Sequence, residues 1–436
     1  MKNTGQELYQ RAKELIPGGT QLFGKRPELY LPDFWPAYYS KASGCEIWDM
    51  DGRKYIDFTM VGIGTSVLGY ADKDVNEAVV KAINRGNLTT LNAPEEVELA
   101  EMLLKRHPWA DMVRYARSGG ELMSVAIRIA RAASCKSKIA FCGYHGWHDW
   151  YLSANITNRQ NLDKHLLPNL APLGVPEGLQ DLMYPFEYNN LQSLKDLISS
   201  EGEGIGVIVM EPCKNDGPDI NFLMEVRKIA TDNNIVLIFD EITSGFRQTD
   251  GGMHMLYGVY PDMCAFGKTI SNGIPMAALV GIREVMKSAE NTFISSTYWT
   301  DRAGPSAAIA FLNKYSKLNV GTRLLEIGNH LQEGFKWAAK NAGLNITISG
   351  IPQLTAFRLE VDDWPAVLTL YTQKMLERGF LASDRCYANY AHTDEYIEKF
   401  MSSVNEVFIL LKNAIDHNRV NFELKGPVKL MGFDKV

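Results

Sequence analysis

No run in the 436-residue chain approaches the roughly 18 consecutive apolar residues that a membrane span requires. The opening Met-Lys-Asn-Thr-Gly-Gln-Glu-Leu also lacks the apolar core of a secretory signal, so a cytoplasmic location is expected. No cluster of lysine and arginine stands out, and the net charge of −6 is spread over interspersed signs. That removes the electrostatic footprint by which nucleic acid or an anionic lipid surface is held, and neither is expected as a partner. The six cysteines, Cys45, Cys135, Cys142, Cys213, Cys264 and Cys386, show no Cys-x-x-Cys spacing. Zinc and disulfide frameworks therefore lose support, and buried reduced thiols are expected. His145 and His148 are a close pair with no third ligand in view, so no metal is expected. Two nucleotide signatures are broken as well. Gly62-Ile63-Gly64-Thr65-Ser66-Val67 lacks the third glycine of a dinucleotide fingerprint, and Gly267-Lys268-Thr269 has Asp262 where a P-loop needs its first glycine.

What is present is a composition of 46% hydrophobic and 22% charged residues, enough for a large core and a second, smaller domain. From Val113 to Val280 apolar strands alternate with amphipathic helices in a β-α-β rhythm, the signature of an α/β fold with a mostly parallel sheet. Helices are expected over Gln6–Leu15, Ala71–Arg85, Glu95–Arg106, Phe222–Asn233, Arg302–Tyr315 and Thr322–Ala342. A hairpin turning at Asp49-Met50-Asp51-Gly52 joins Glu46–Trp48 to Lys54–Phe58. The segment from Asn155 to Met183 is polar and aperiodic and reads as an excursion. After residue 342 the pattern is strand, strand, a short helix near Lys374–Arg378, strand, and a final helix over Asp394–Asn413.

The chain's central stretch is Val236-Leu-Ile-Phe-Asp240-Glu241-Ile242-Thr243-Ser-Gly-Phe-Arg247, followed by Asp262-Met-Cys-Ala-Phe-Gly-Lys268. Two buried strands each deliver one polar residue at the carboxyl end, where open α/β sheets bind ligands. An acid and an amine so placed suit pyridoxal 5'-phosphate (PLP), which needs a lysine to condense with its aldehyde and an acid for its pyridinium nitrogen. Taken singly, Asp240 also reads as a helix cap and Lys268 as a solvated loop residue. A second signal is Met112–Ala116 running into Arg117-Ser118-Gly119-Gly120-Glu121 and a long helix. There backbone N–H groups and the helix dipole converge on one spot and can bind an anion. A third is Lys138–Cys142 ending at Gly143-Tyr144-His145-Gly146, where an aromatic ring can stack on a flat cofactor. Glu211, closing the strand Gly204–Met210, either orients groups near a cofactor or only ends the strand.

These blocks resemble the class III (ω-type) aminotransferases, most closely the branch around glutamate-1-semialdehyde aminomutase. The likeness rests on Asp240-Glu241, Thr243-Ser-Gly-Phe-Arg247, Pro261-Asp262 and Gly267-Lys268, and it extends over nearly the whole chain. It implies an α/β PLP fold-type I protein of the aspartate aminotransferase kind, with a large, mostly parallel sheet domain and a smaller α+β domain. The expected division is an N-terminal arm and hairpin over 1–59, a PLP-binding domain over 60–325 and a C-terminal small domain over 326–436. The resemblance also implies the site: Lys268 and Asp240 as catalytic residues, and Ser118, Gly119, Gly120, Tyr144, Glu211, Asp240, Ile242, Lys268 and Thr297 around the cofactor. Thr297 would reach the phosphate of a partner subunit, so a homodimer with shared sites is implied.

Departures from the family pattern bear on the substrate. Gly120 replaces its usual threonine, Val61-Gly62-Ile63-Gly64 replaces the Ser-Trp-Gly-Pro of the aminomutase, and Asp384-Arg385 stands where a glutamate is expected. The loss of the Ser-Trp-Gly-Pro segment and of the glutamate favours a true aminotransferase over glutamate-1-semialdehyde 2,1-aminomutase, the alternative reading, whereas Gly120 removes one hydroxyl contact to the phosphate. The run Gly143-Tyr-His-Gly-Trp-His-Asp-Trp-Tyr151 looks like that of enzymes from surface-polysaccharide (lipopolysaccharide) pathways. It points to an aminosugar-forming enzyme of the 8-amino-3,8-dideoxy-octulosonate type, with L-glutamate as donor and an oxo sugar acid as acceptor.

Overall fold

The computed structural model describes residues 3–165, 168–213 and 217–432. Met1 and Lys2 of the N-terminal segment, and Leu166 and Leu167 inside the polar excursion, lie outside the described residues. The chain folds into two compact units, Met1–Asp72 with Thr322–Val436, and Lys73–Gly321. Residues 60–72 and 322–325, which the sequence reading assigns to the large domain, cluster with the first unit. Among the described residues no helix is long and apolar enough to cross a membrane.

In the first unit, helix α1 (Thr4–Leu15) is capped by the Asn3 side chain. Strands β1 (Tyr39–Ser43), β2 (Glu46–Asp49) and β3 (Lys54–Phe58) form an antiparallel ribbon. Gly52, at φ +80°, supplies the left-handed residue that the β2–β3 turn requires.

The second unit is built on seven strands, β4 (Met112–Ala116), β5 (Lys138–Cys142), β6 (Met183–Pro185), β7 (Ile205–Met210), β8 (Val236–Asp240), β9 (Met263–Phe266) and β10 (Ala277–Gly281). Their order is β4-β10-β9-β8-β7-β5-β6. Strand β10 runs antiparallel to both its neighbours, and the remaining pairs are parallel. The central strands β7 to β10 are buried along their whole length, which is why they read as unbroken apolar runs. Helices α2 (Lys73–Asn84), α3 (Glu95–Arg106), α4 (Gly119–Ser134), α5 (Leu191–Glu201), α6 (Ile220–Asp232) and α7 (Ala303–Leu318) complete the unit. Helix α4 buries Leu122, Met123, Ala126, Ile129 and Ala130 with Val207, Ile238, Ala265 and Leu279 of the sheet. On the opposite side Phe311 of α7 meets Phe246, which packs on Phe266 of β9.

The chain returns to the first unit through α8 (Val320–Ala342), then β11 (Ile346–Ser349), β12 (Leu354–Leu359), α9 (Trp364–Glu377), β13 (Phe380–Ala382), β14 (Arg385–Tyr387) and α10 (Asp394–Asp416). Strand β13 joins the hairpin sheet beside β3, and β11, β12 and β14 form a separate antiparallel sheet. Helix α9 begins ten residues before the short helix expected near Lys374. Asp363 caps it by accepting from Ala366 N–H, and Pro365 falls in the first turn, where a missing N–H is harmless.

Two buried histidines are held neutral, one in each unit. His107 donates from Nδ1 to Leu103 O (2.9 Å) while Nε2 accepts from Gly252 N–H (3.2 Å). In the first unit His392 accepts from Asn389 N–H (3.3 Å) and donates to Asp57 O (2.8 Å). Burial pushes the pKa of each down to about 4. The unfolded chain therefore takes up these protons first as pH falls below the ordinary histidine value of about 6.5. Native stability must drop between there and pH 4. The check is a pH titration of histidine ring carbons by NMR, and protonation of either ring above about pH 5.5 in the folded protein would contradict the assignment.

Candidate functional site

Within the second unit, the sequence-predicted residues other than Thr297 follow or close the carboxyl ends of β4, β5, β7, β8 and β9. Asp240 ends β8 opposite Ala265 of β9, and Lys268 follows two residues after β9 ends. Ile242 joins these segments. A Cβ placed on Gly119 would meet its Cδ1 at 2.8 Å, and one on Gly267 would meet its Cγ2 at 3.3 Å. Only glycine at 119 lets the start of α4 approach the β8 loop this closely. Lys268 takes a left-handed backbone, φ +42°, a conformation costing a non-glycine residue about 1–2 kcal/mol. Strain of this kind persists where surroundings over-determine a residue, and it clusters at functional sites. The Lys268 ammonium donates to Thr243 Oγ1 at 2.7 Å.

Asp240 is 4% exposed. Its Oδ1 accepts from Ile242 N–H (3.1 Å) and its Oδ2 from His145 Nδ1 (2.8 Å). Among the described residues no lysine or arginine pairs with it, and the carboxylate keeps acceptor capacity for a further N–H donor. His145, fully enclosed, leaves Nε2 without a hydrogen-bond partner among those residues. The loop carrying Tyr144 and His145 is fixed from β7, because Glu211 Oε2 accepts from Tyr144 N–H at 3.1 Å. The buried His165, inside the polar excursion, accepts from Gly143 N–H at 3.1 Å. Tyr144 is partly buried, packs edge-on against Tyr151, and burial raises its hydroxyl pKa.

At the start of α4, Ser118 closes a capping box. Its hydroxyl bonds Glu121, whose carboxylate accepts from Ser118 N–H (3.0 Å) and Arg117 N–H (3.2 Å). The Ser-x-x-Glu spacing carries that signal in the sequence. Glu121 N–H is used by the Ser118 hydroxyl (3.4 Å), and the Gly119 and Gly120 N–H groups make no hydrogen bond among the described residues. Thr297 opens a single exposed turn, Thr297–Thr300, and its side chain makes no hydrogen bond among the described residues. Arg117 ties that turn to the base of α4, pairing with Asp301 and donating to Trp299 O (2.7 Å). Arg117, His145, His165 and Thr243 are contributors that sequence reasoning assigned no site role. His145 was weighed only as a metal ligand.

Beneath the site, Glu241, His254 and Cys264 present possible ligand atoms within 4.8 Å of one another. Both carboxylate oxygens are already engaged. Oε1 accepts from His254 N–H (2.9 Å) and His254 Nδ1 (2.7 Å), and Oε2 from Met253 N–H (2.5 Å). Trp109 Nε1 donates to His254 Nε2 at 3.0 Å, which fixes the tautomer. The cluster anchors the chain leaving β8.

A parallel sheet with one antiparallel strand, an acid and a lysine at adjoining strand ends and a glycine-lined helix start define a PLP fold-type I protein. The sequence signature described as aminotransferase class-III spans residues 32–405, and the chain belongs to that family. Over 421 residues it is 30% identical to the 3-aminobutyryl-CoA aminotransferase of Cloacimonas acidaminovorans, covering 94% of this chain and 97% of that protein. It is 31% identical over 434 residues to the glutamate-1-semialdehyde 2,1-aminomutase of Methanothermobacter thermautotrophicus, covering 94% and 99%. The fold is similar to that of the PLP-bearing FumI protein of Sphingopyxis sp. MTA144, with TM-score 0.86, 23% identity and coverage of 94% and 97%. The protein is a PLP-dependent class III aminotransferase. The residues present fit that cofactor: an amine on a constrained backbone, a buried carboxylate with acceptor capacity to spare, and a helix start whose Gly119 and Gly120 N–H groups can meet a phosphate.

Glu241 is the structural keystone of this region, so replacing it by alanine strands three N–H donors in a dry interior. Glu241→Ala should lose about 3–5 kcal/mol of stability, read from the chemical-denaturation midpoint of the full chain. A midpoint equal to that of wild type would show the network to be dispensable.

Proposed function

We propose that the chain transfers an amino group from L-glutamate to the aldehyde or keto group of a sugar acid of the 3-deoxy-octulosonate type. The product would be an aminosugar for surface-polysaccharide biosynthesis, made by a cytoplasmic homodimer. PLP, when bound, supplies an electron sink that lets a proton leave the carbon beside the donor nitrogen. Lys268 would act as the general base that takes the proton from the donor carbon in the first half-reaction and as the acid that supplies a proton to the acceptor carbon in the reverse one, and Thr243 Oγ1 orients its amine beforehand. Asp240 offers its carboxylate to the ring nitrogen, held by Ile242 N–H and His145. Ser118, Gly119 and Gly120 form the phosphate cradle, and Thr297 of the second subunit completes it. Tyr144 and Ile242 hold the ring between them, and Glu211 fixes the Tyr144 backbone.

The observation that carries this reading is the convergence of Lys268, Thr243, Asp240 and His145 at adjoining strand ends. The sugar-acid acceptor is supported by the Gly143–Tyr151 run. A second reading, glutamate-1-semialdehyde 2,1-aminomutase, is favoured by curated relatives of that name at 28–35% identity. Against it stands the replacement of Ser-Trp-Gly-Pro by Val61-Gly62-Ile63-Gly64, where Gly62 and Ile63 adopt left-handed conformations, φ +66° and +58°.

Adding L-glutamate to the loaded enzyme should bleach its yellow colour and release the corresponding oxo acid, and Lys268→Ala should abolish the response. An enzyme that ignores glutamate yet isomerises glutamate-1-semialdehyde belongs to the second reading instead.

A further inference from the structure

Position 120 carries glycine, so the first turn of α4 offers no side-chain donor there. The space a side chain would take is filled. A Cβ built on Gly120 would meet Cε1 of His148 at 2.9 Å and its Nδ1 at 3.0 Å. Helical Cα–Cβ bonds tilt toward the helix N-terminus, so the imidazole lies over the first turn of α4, beside the Gly119 and Gly120 N–H groups. Gly146 permits the approach. It sits at φ +107°, and a Cβ there would come within 3.2 Å of Gly120 Cα. Trp147 stacks on the imidazole with ring centres 4.3 Å apart and holds its plane. Nδ1 itself is shielded from solvent and has no hydrogen-bond partner among the described residues. An unmet polar group in such a place costs about 1–3 kcal/mol, a cost that a bound acceptor removes.

We propose that His148 binds the PLP phosphate by donating a hydrogen bond from Nδ1, in place of the hydroxyl that Gly120 lacks. Gly120 and His148 are then a compensating pair, because a threonine at 120 and a histidine at 148 cannot occupy the same volume. The inference rests on reading Ser118–Gly120 as the phosphate cradle. His145 and His148, neighbours in sequence, divide the cofactor between them, one serving the acid at the ring end and the other the phosphate.

The test compares PLP with pyridoxal, which lacks the phosphate, by equilibrium titration of the full-length protein freed of cofactor. His148→Ala should weaken PLP binding by about ten- to hundredfold while leaving pyridoxal binding unchanged. His148→Asn, which keeps a donor, should recover part of the loss. Gly120→Thr alone should also weaken PLP, through collision with the ring, and Gly120→Thr combined with His148→Ala should restore most of the affinity. Equal loss for PLP and pyridoxal in His148→Ala, or no loss for either, would overturn the proposal. Wild-type protein that binds PLP no more tightly than pyridoxal would instead overturn the cradle on which the proposal stands.

Discussion

Two hydrogen bonds to one buried carboxylate hold the centre of this protein together. Asp240 accepts from Ile242 N–H and from His145 Nδ1, which couples the end of β8 to the loop after β5, 95 residues earlier. The first bond turns the chain so that the Ile242 side chain lies against Gly119 and Gly267, the approaches to the helix start and to Lys268. The second locks the Tyr144 loop, which Glu211 and His165 brace from behind. Among the described residues no lysine or arginine is paired with this enclosed carboxylate, which is costly, and on the proposed reading a cationic ring nitrogen would offset that cost. The site is thereby arranged to be completed by its cofactor.

The support below the site is equally specific. Glu241 adjoins Asp240 in sequence but points the opposite way, as alternation along a strand demands, and three N–H donors satisfy it there. One Asp-Glu pair therefore does two jobs, with Asp240 holding His145 and the turn at Ile242, and Glu241 holding the segment at Met253 and His254.

Much of this was legible in the sequence because it depends on short-range pattern. The buried strands β7, β8 and β9 announced themselves as apolar runs, and the position of Lys268 beyond β9 followed from the glycine turn. The start of α4 was readable from Ser118-Gly119-Gly120. What could not be read were contacts between segments distant in the chain. Nothing near His145 signals that its partner is Asp240, and nothing near His165 signals a bond to Gly143 N–H. The Gly120 departure looked like a simple loss, because the ring filling the gap lies 28 residues further on. The longer extent of α9 was missed for a local reason, since Pro365 suggests an interruption unless Asp363 is recognised as the cap that makes it a first-turn residue.

Covalent attachment of the cofactor at Lys268 is the claim from which the rest follows. Borohydride reduction of the loaded enzyme, followed by peptide mass spectrometry, tests it most directly. The account predicts a phosphopyridoxyl mass on the peptide containing Lys268 and on no other lysine. Label on a different residue, or none on protein that visibly holds PLP, would contradict it.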